Sequence, residues 1–172
     1  VISNVLSICG LSLLFSASKN SFFFEISVND LIISSNNSSI FIFDKRHNIK
    51  GLVHSGWKGT KNKIINNAIN LMVEKKSNPL DILVIIGASI HKCCYEIGEE
   101  LLDCFDKDCI YFNNKKFYLS LQEQILIDLH KLHIPYKNIY IDSKCTFMND
   151  KLSSYRRDQD KAGRMISLLG NY

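Results

Sequence analysis

The segment His54-Ser-Gly-Trp-Lys-Gly-Thr60 places several residue types that can do chemistry next to one another. It contains the chain's single tryptophan, Trp57, which lies between two glycines and directly before Lys58. Histidine is the commonest metal ligand and a base near neutral pH, and lysine supplies a mobile positive charge. Glycine lets the backbone approach a ligand closely. The segment therefore predicts a binding or catalytic site.

The arginines form a second group of candidates. The chain has 17 lysines but only four arginines, and three of the four are Arg156, Arg157 and Arg164. A guanidinium group can bind phosphate or carboxylate through two parallel hydrogen bonds, which an ammonium group cannot do. We therefore predict that these arginines bind an anion, and that Arg157→Lys weakens anion binding more than stability. The alternative is a structural ion pair around Asp158.

Composition limits the class of protein. At 172 residues, with 46% hydrophobic and 22% charged residues, the chain has the composition of one globular domain and not of a disordered protein. The net charge of +4 comes from scattered lysines, without the basic cluster and interleaved aromatics of a nucleic-acid interface. The apolar run 5–15 is too short to span a bilayer and lacks a preceding basic residue, so a buried element is predicted there instead of a signal peptide. We expect neither a nucleic-acid partner nor a membrane partner.

The six cysteines include no C-x-x-C pair, so neither a zinc ribbon nor a thioredoxin motif is predicted. Since the sequence gives little sign of secretion, they are expected to be reduced thiols. Strands and helices alternate in the hydrophobic pattern, which predicts a sheet with helices packed against it. The turn after strand Ile49–Val53 carries the histidine motif into a helix, where its N–H groups can face a ligand. The other predicted elements are strand Ile40–Phe43, a helix over 61–76, strand Ile82–Ile86, a helix over about 97–105, a helix over 121–132 and strand Ile139–Asp142.

Four ordered motifs resemble the YfiH-like, or laccase-domain, family, which has also been called multicopper polyphenol oxidoreductase, purine nucleoside phosphorylase and peptidoglycan editing factor. They cover the chain from about residue 40 to residue 169. The motifs are Val53-His-Ser-Gly-Trp-Lys-Gly-Thr60, Ile86-Gly-Ala-Ser-Ile90 with Tyr95-Glu-Ile-Gly98, Asp142-Ser-Lys-Cys-Thr146, and Ser153-Ser-Tyr-Arg-Arg-Asp158 with Ala162-Gly-Arg164.

The resemblance implies an α/β (α+β) fold, a single domain over residues 1–172 with a mixed β-sheet flanked by helices. It implies a cytoplasmic enzyme, a transferase that cleaves adenosine, inosine, guanosine or methylthioadenosine with phosphate, with adenosine deamination as a companion activity. Its partners would be small molecules, a purine nucleoside and phosphate. A hydrolase role in editing peptidoglycan precursors is a further function that the family implies.

The resemblance also implies roles for particular residues. The family holds zinc or copper with two histidines and a cysteine, and His54 would be one of these ligands or an acid–base group. We expect His54, Trp57, Arg156 and Arg157 to share one pocket, although about a hundred residues separate the two groups in sequence. Arg156, Arg157, Arg164 and Lys58 would bind phosphate or ribose phosphate, Trp57 would shape the pocket, and Tyr95 and Glu96 would hold a sugar hydroxyl or support the fold.

Two departures weaken the expected metal site. Gapless counting puts Asn37 at the position of the family's cysteine, and the family's upstream Q-V-H-G motif is absent, so the N-terminal part is expected to be shortened. Three protein ligands are needed for a catalytic zinc site, so we expect weak zinc or copper binding and little phosphorolysis. A non-catalytic relative that keeps an anion or nucleoside pocket is the alternative. Replacement ligands to consider are His47, His91, Cys93 and Cys145, whereas His130 and His133 are expected to lie on the surface or cap a helix.

Overall fold

The computed structural model describes residues 23–27, 31–35 and 38–170, with side chains from residue 38 onward. Within these ranges, ten strands form three sheets. The strands are β1 (Phe23–Ser27), β2 (Leu31–Ser35), β3 (Ser38–Asp44), β4 (Ile49–Ser55), β5 (Ile82–Ile86), β6 (Glu96–Ile97), β7 (Ile110–Asn113), β8 (Lys116–Leu119), β9 (Ile139–Ile141) and β10 (Met165–Leu169).

The main sheet has the order β1-β4-β3-β5-β9. Its first three pairings are antiparallel, and β5 and β9 are parallel, so the sheet is mixed as expected. The smaller sheets are the antiparallel pair β10-β2 and the three-stranded sheet β6-β8-β7. The helices are α1 (Trp57–Lys61), α2 (Ile64–Glu74), α3 (Leu121–Lys131) and α4 (Tyr155–Asp158). Short 3₁₀ helices cover Pro79–Asp81, Glu99–Cys104, Lys107–Cys109, Tyr136–Asn138 and Gln159–Lys161.

Helices α2 and α3 pack against the main sheet and form the larger hydrophobic core. Helix α2 contributes a stripe at helical spacing, and α3 contributes Ile125 and Leu129. The side chain of Ser120 caps α3 by accepting a hydrogen bond from the Glu123 N–H at 3.3 Å. The buried stripe of α2 consists of Ile64, Ile65, Ala68, Ile69 and Met72. Strand β4 contributes Ile49 and Val53 to this core, and it leads directly into the histidine motif.

A smaller hydrophobic cluster lies beside the β6-β8-β7 sheet. Its buried members include Tyr95, Phe105 and Leu119, and Trp57 packs against it. The cluster therefore joins the start of α1 to the segment that carries Tyr95 and Glu96. Among the described residues, every helix is too short or too polar to span a bilayer.

Several elements differ from the sequence-based expectation, and strands β1, β2, β6 and β10 and helix α4 are not among the predicted elements. The helix expected over 61–76 begins only at Ile64, because Lys63 takes a left-handed conformation (φ 56°) that separates it from α1. The helix expected over about 97–105 is the 3₁₀ segment Glu99–Cys104, in which the Leu101 N–H bonds to the Gly98 carbonyl at 3.2 Å. The hairpin of β7 and β8 was not predicted. Its two turn residues, Asn114 and Lys115, both have positive φ.

Candidate functional site

The turn after β4 is closed by two buried hydroxyl groups. Ser55 Oγ lies 2.9 Å from Thr60 Oγ1, and Thr60 Oγ1 donates to the Gly56 carbonyl at 3.0 Å. Since the threonine proton is used on Gly56, the Ser55 hydroxyl is the donor to Thr60. The Gly56 carbonyl also accepts from the Thr60 N–H at 2.9 Å. These bonds fix the first turn of α1 and thereby the position of Trp57.

Trp57 forms one wall of an open pocket of about 430 Å³. This volume is in the range of small-molecule sites in proteins. Residues from three distant parts of the sequence meet here. The pocket is lined by Trp57, Tyr95, Glu96, Ile97, Gly98, Glu100, Leu101 and Arg156. Four of the residues singled out in the sequence therefore share one pocket, namely Trp57, Tyr95, Glu96 and Arg156.

Arg156 is held at the pocket by its neighbours. Its Nη1 donates to the Glu96 carbonyl at 2.9 Å, and its guanidinium carbon lies 5.0 Å from the centre of the Tyr95 ring, at cation–π distance. Burial raises the pKa of Tyr95 to about 12, although the Arg156 charge opposes the rise, so the phenol stays neutral. Arg156 is itself exposed and offers positive charge to a ligand.

Glu96 forms an ion pair on the rim of the pocket. Its Oε2 lies 2.8 Å from Lys116 Nζ, and both side chains are about half exposed. Exposed pairs of this kind contribute little to stability. The carboxylate can therefore turn toward a ligand hydroxyl at small cost.

Arg157 is placed differently from its neighbour Arg156. Its Nη1 donates to the carbonyls of Thr146, Phe147 and Asn149 at 2.8, 3.2 and 3.0 Å. Its Nη2 donates to the Leu152 carbonyl at 2.7 Å, and a two-point ion pair joins the guanidinium to Asp158 at 2.7 and 2.8 Å. Every nitrogen of the side chain thus has a partner inside the protein. The geometry favours the structural ion pair around Asp158 over the predicted anion-binding role of Arg157.

Three other predicted residues, His54, Lys58 and Arg164, do not line this pocket. His54 is buried, with 6% of its surface exposed, and burial lowers its pKa, so the imidazole is neutral at pH 7. Lys58 is exposed, and its Nζ lies 5.5 Å from the centre of the Trp57 indole. Arg164 is exposed near the start of β10. The structure therefore brings Lys58 close to the pocket wall, and it separates His54 and Arg164 from the pocket lining.

The described residues do not form the metal site that the family resemblance implies. Asn37 lies outside the described residues. Among the described residues, one group of three histidine, cysteine or acidic side chains is close enough to hold a metal. This group does not include His54. His47, a potential replacement, is paired with Asp44 at 2.8 Å instead. His130 stacks on Tyr136 with ring centres 5.1 Å apart. We therefore assign no chemical step to a metal at His54.

The group that does have suitable spacing consists of Cys93, Cys94 and Cys145, whose sulfurs all lie within 4.8 Å of one another. The sequence predicts Cys93 and Cys145 as separate candidate ligands, and it does not predict Cys94 as one. Burial alone would raise the pKa of Cys145, but hydrogen bonds from three backbone N–H groups, one of them from His91 at 3.4 Å, hold it below the usual 9.0. Burial raises the pKa of Cys94 to about 12, and the adjacent sulfurs add to the rise.

Comparison with known proteins agrees with this fold and these motifs. The family model described as multi-copper polyphenol oxidoreductase laccase matches residues 32–171. A purine nucleoside phosphorylase from Clostridium acetobutylicum is 36% identical over 136 residues, which cover 76% of this chain and 57% of that protein. The purine nucleoside phosphorylase YlmD from Bacillus subtilis is 31% identical over 140 residues, which cover 76% of this chain and 50% of that protein. The chain thus spans about half the length of these relatives.

Solved structures show the same similarity. The crystal structure of the Bacillus licheniformis hypothetical protein YfiH superposes with a TM-score of 0.77 at 28% identity, covering 82% of this chain and 57% of that one. The crystal structure of YlmD from Geobacillus stearothermophilus superposes with a TM-score of 0.74 at 24% identity, covering 84% of this chain and 61% of that one. This second superposition supports the fold. The match over most of the chain, together with the sequence relatives, shows that this protein belongs to the YfiH-like, laccase-domain family.

Proposed function

We propose that the chain acts on purine nucleosides through the pocket of Trp57, Tyr95, Glu96 and Arg156. The observation that supports this proposal is the meeting of these residues in one pocket, although about a hundred residues separate Trp57 from Arg156 in sequence. An indole ring, a neutral phenol, a carboxylate and an exposed guanidinium are suited to a ligand with an aromatic base, sugar hydroxyls and an anion. Relatives named as purine nucleoside phosphorylases make phosphorolysis the leading reaction.

In phosphorolysis, a phosphate oxygen forms a bond to the sugar carbon C1′ while the bond from C1′ to the base breaks. The base leaves with the bonding electrons and gains the proton that phosphate gives up. In our proposal Arg156 binds the phosphate and the purine stacks on Trp57. Glu96, on the rim, accepts a hydrogen bond from a ribose hydroxyl. Each role places a group of suitable charge beside the part of the ligand that needs it.

A nucleoside- or anion-binding protein without catalytic activity is the second candidate. It is favoured by one observation, that the group of three possible metal ligands found among the described residues consists of Cys93, Cys94 and Cys145 and does not include His54. Both candidates predict that the pocket binds a nucleoside or an anion. Only the enzyme is expected to release the base.

The experiment measures binding and turnover separately. Trp57 is the only tryptophan, so quenching of its fluorescence by adenosine or inosine reports occupation of the pocket. Phosphate-dependent release of base from adenosine, inosine, guanosine and methylthioadenosine tests phosphorolysis, and release of ammonia from adenosine tests deamination. Saturable quenching without release of base would support the binding protein, and a lack of quenching would exclude both candidates.

Arg156→Lys tests the anion role and has a matched control. The change keeps the charge and removes the planar fork, so we expect the KM or Kd for phosphate to rise about tenfold, the effect of losing roughly 1.4 kcal/mol of charge-assisted hydrogen bonding. Arg46→Lys makes the same chemical change in the exposed turn between β3 and β4, and it should leave phosphate binding unchanged. Equal effects of the two substitutions would contradict the assignment of Arg156.

A further inference from the structure

The three clustered thiols come from two loops that lie far apart in sequence. Cys93 and Cys94 precede Tyr95, and Cys145 follows β9. Cys93 Sγ lies 2.9 Å from Cys94 Sγ and 3.8 Å from Cys145 Sγ. A parallel bridge between Ser89 and Cys145, with the Thr146 N–H bonded to the Ser89 carbonyl at 3.0 Å, holds the loops side by side. The backbone thus places the sulfurs together, independently of any ligand.

The spacing of the sulfurs is close to that of a metal thiolate site. With a zinc–sulfur bond of about 2.3 Å, two sulfurs at corners of a tetrahedron lie about 3.8 Å apart. The pair Cys93 and Cys145 has this separation. The distance between Cys93 Sγ and Cys94 Sγ would increase by about 0.9 Å to reach the same spacing. Rotation of the exposed Cys93 side chain can provide this increase.

The other two described cysteines, Cys104 and Cys109, have the burial and contacts of thiols that only pack against their neighbours. Cys109 is completely buried in the smaller hydrophobic cluster, and burial raises its pKa to about 12. Cys104 lies in the 3₁₀ segment Glu99–Cys104, and its thiol donates to the Glu100 carbonyl at 3.7 Å. Neither of these two belongs to the group of clustered sulfurs. The cluster differs from both because it runs from the exposed Cys93 to the buried Cys145, which leaves a path for an ion to enter.

We propose that Cys93, Cys94 and Cys145 bind one thiophilic metal ion of the zinc class through their three sulfurs. Soft thiolate ligands select such ions over magnesium or calcium. Binding replaces the thiol protons, which pass to solvent, and involves no change of oxidation state. Three protein ligands leave one tetrahedral position for water or another small ligand. The bound ion would tie the loop before Tyr95 to the loop whose carbonyls hold Arg157, so it would stabilise one side of the nucleoside pocket.

Metal binding by the reduced full chain tests the proposal. Zn²⁺ affinity is measured by competition with a chromogenic chelator, and Cd²⁺ is added to a second sample as a probe for sulfur ligands. We expect one ion per chain and an ultraviolet thiolate-to-cadmium charge-transfer absorption. Cys93→Ser and Cys145→Ser should each weaken Zn²⁺ binding by at least about tenfold and reduce that absorption.

Cys104→Ser is the matched control, since it removes a thiol outside the cluster, and its affinity for Zn²⁺ should equal that of the unmodified protein. Circular dichroism of each variant confirms that it is folded. Absence of the charge-transfer band, or Zn²⁺ affinity unchanged in both Cys93→Ser and Cys145→Ser, would overturn the proposal. These readouts do not depend on nucleoside chemistry, so a failed metal site and a failed nucleoside assignment are distinguished.

Discussion

The hydroxyl pair that closes the turn after β4 can be tested by Thr60→Val, which keeps the shape of the side chain and removes its oxygen. Both Thr60 and Ser55 are 1% exposed, so water cannot replace a lost partner. The Gly56 carbonyl keeps its bond from the backbone N–H of residue 60. The Ser55 hydroxyl, in contrast, loses its acceptor. The substitution therefore leaves one buried donor unsatisfied.

The expected cost follows from that single orphaned donor. An unsatisfied buried polar group costs about 1–3 kcal/mol, and the added methyl group recovers part of it, at most about 0.8 kcal/mol. We expect Thr60→Val to lower the free energy of unfolding by about 1–2 kcal/mol. Ser55→Ala should cost less, about 0.5–1.5 kcal/mol, because the Thr60 hydroxyl still donates to the Gly56 carbonyl.

Urea denaturation of both single variants and the double variant measures these differences. Since the double variant has no orphaned donor, adding Ser55→Ala to Thr60→Val should cost almost nothing or restore stability. A double variant whose loss equals the sum of the two single losses would refute the reasoning. A Thr60→Val protein as stable as the unmodified chain would refute it as well, because the Ser55 hydroxyl would then have found another acceptor.

Two further predictions concern stability elsewhere. Arg157→Lys should lower the melting temperature clearly more than Arg46→Lys does, because one ammonium group cannot reach the four carbonyls and the carboxylate that the guanidinium bonds. Phosphate binding measured on the folded Arg157→Lys variant should be unchanged. A weaker phosphate affinity at an unchanged melting temperature would instead support the anion-binding role that the sequence predicts for Arg157. Burial alone would raise the pKa of Asp44, but hydrogen bonds from the His47 ring and from the backbone N–H groups of Arg46 and His47 hold it below the usual 3.8. The contribution of Asp44 to stability is therefore present above that pH and is lost as pH falls through the folded-state pKa. Asp44→Asn should therefore destabilise the protein most at neutral pH. The difference in unfolding free energy between the variant and the unmodified protein should shrink below pH 3.8. Denaturation curves in which this difference does not change with pH would contradict the lowered pKa of Asp44.

Four of the five strands of the main sheet and the helices packed on it follow from local hydrophobic pattern, whereas β1 is not among the predicted elements. Ile82–Ile86 is a strand with the predicted bounds, and α3 lies within the predicted range because its apolar stripe and the cap at Ser120 agree. The missed hairpin has a physical reason. Its turn takes positive φ at Asn114 and Lys115 without glycine, and lysine gives no sign of that conformation in sequence.

The candidate site could be predicted in part, and the two adjacent arginines show where sequence reasoning stops. Arg156 and Arg157 have the same chemistry and lie on one short helix, α4, whose neighbouring side chains point about 100° apart. One side chain consequently reaches the pocket at Tyr95, whereas the other enters a ring of backbone carbonyls. The preference for arginine over lysine predicts positions that use a planar fork, and it does not say what the fork binds. Whether the partner is a ligand or the protein's own backbone depends on the loop that folds around α4, and that is decided by tertiary structure.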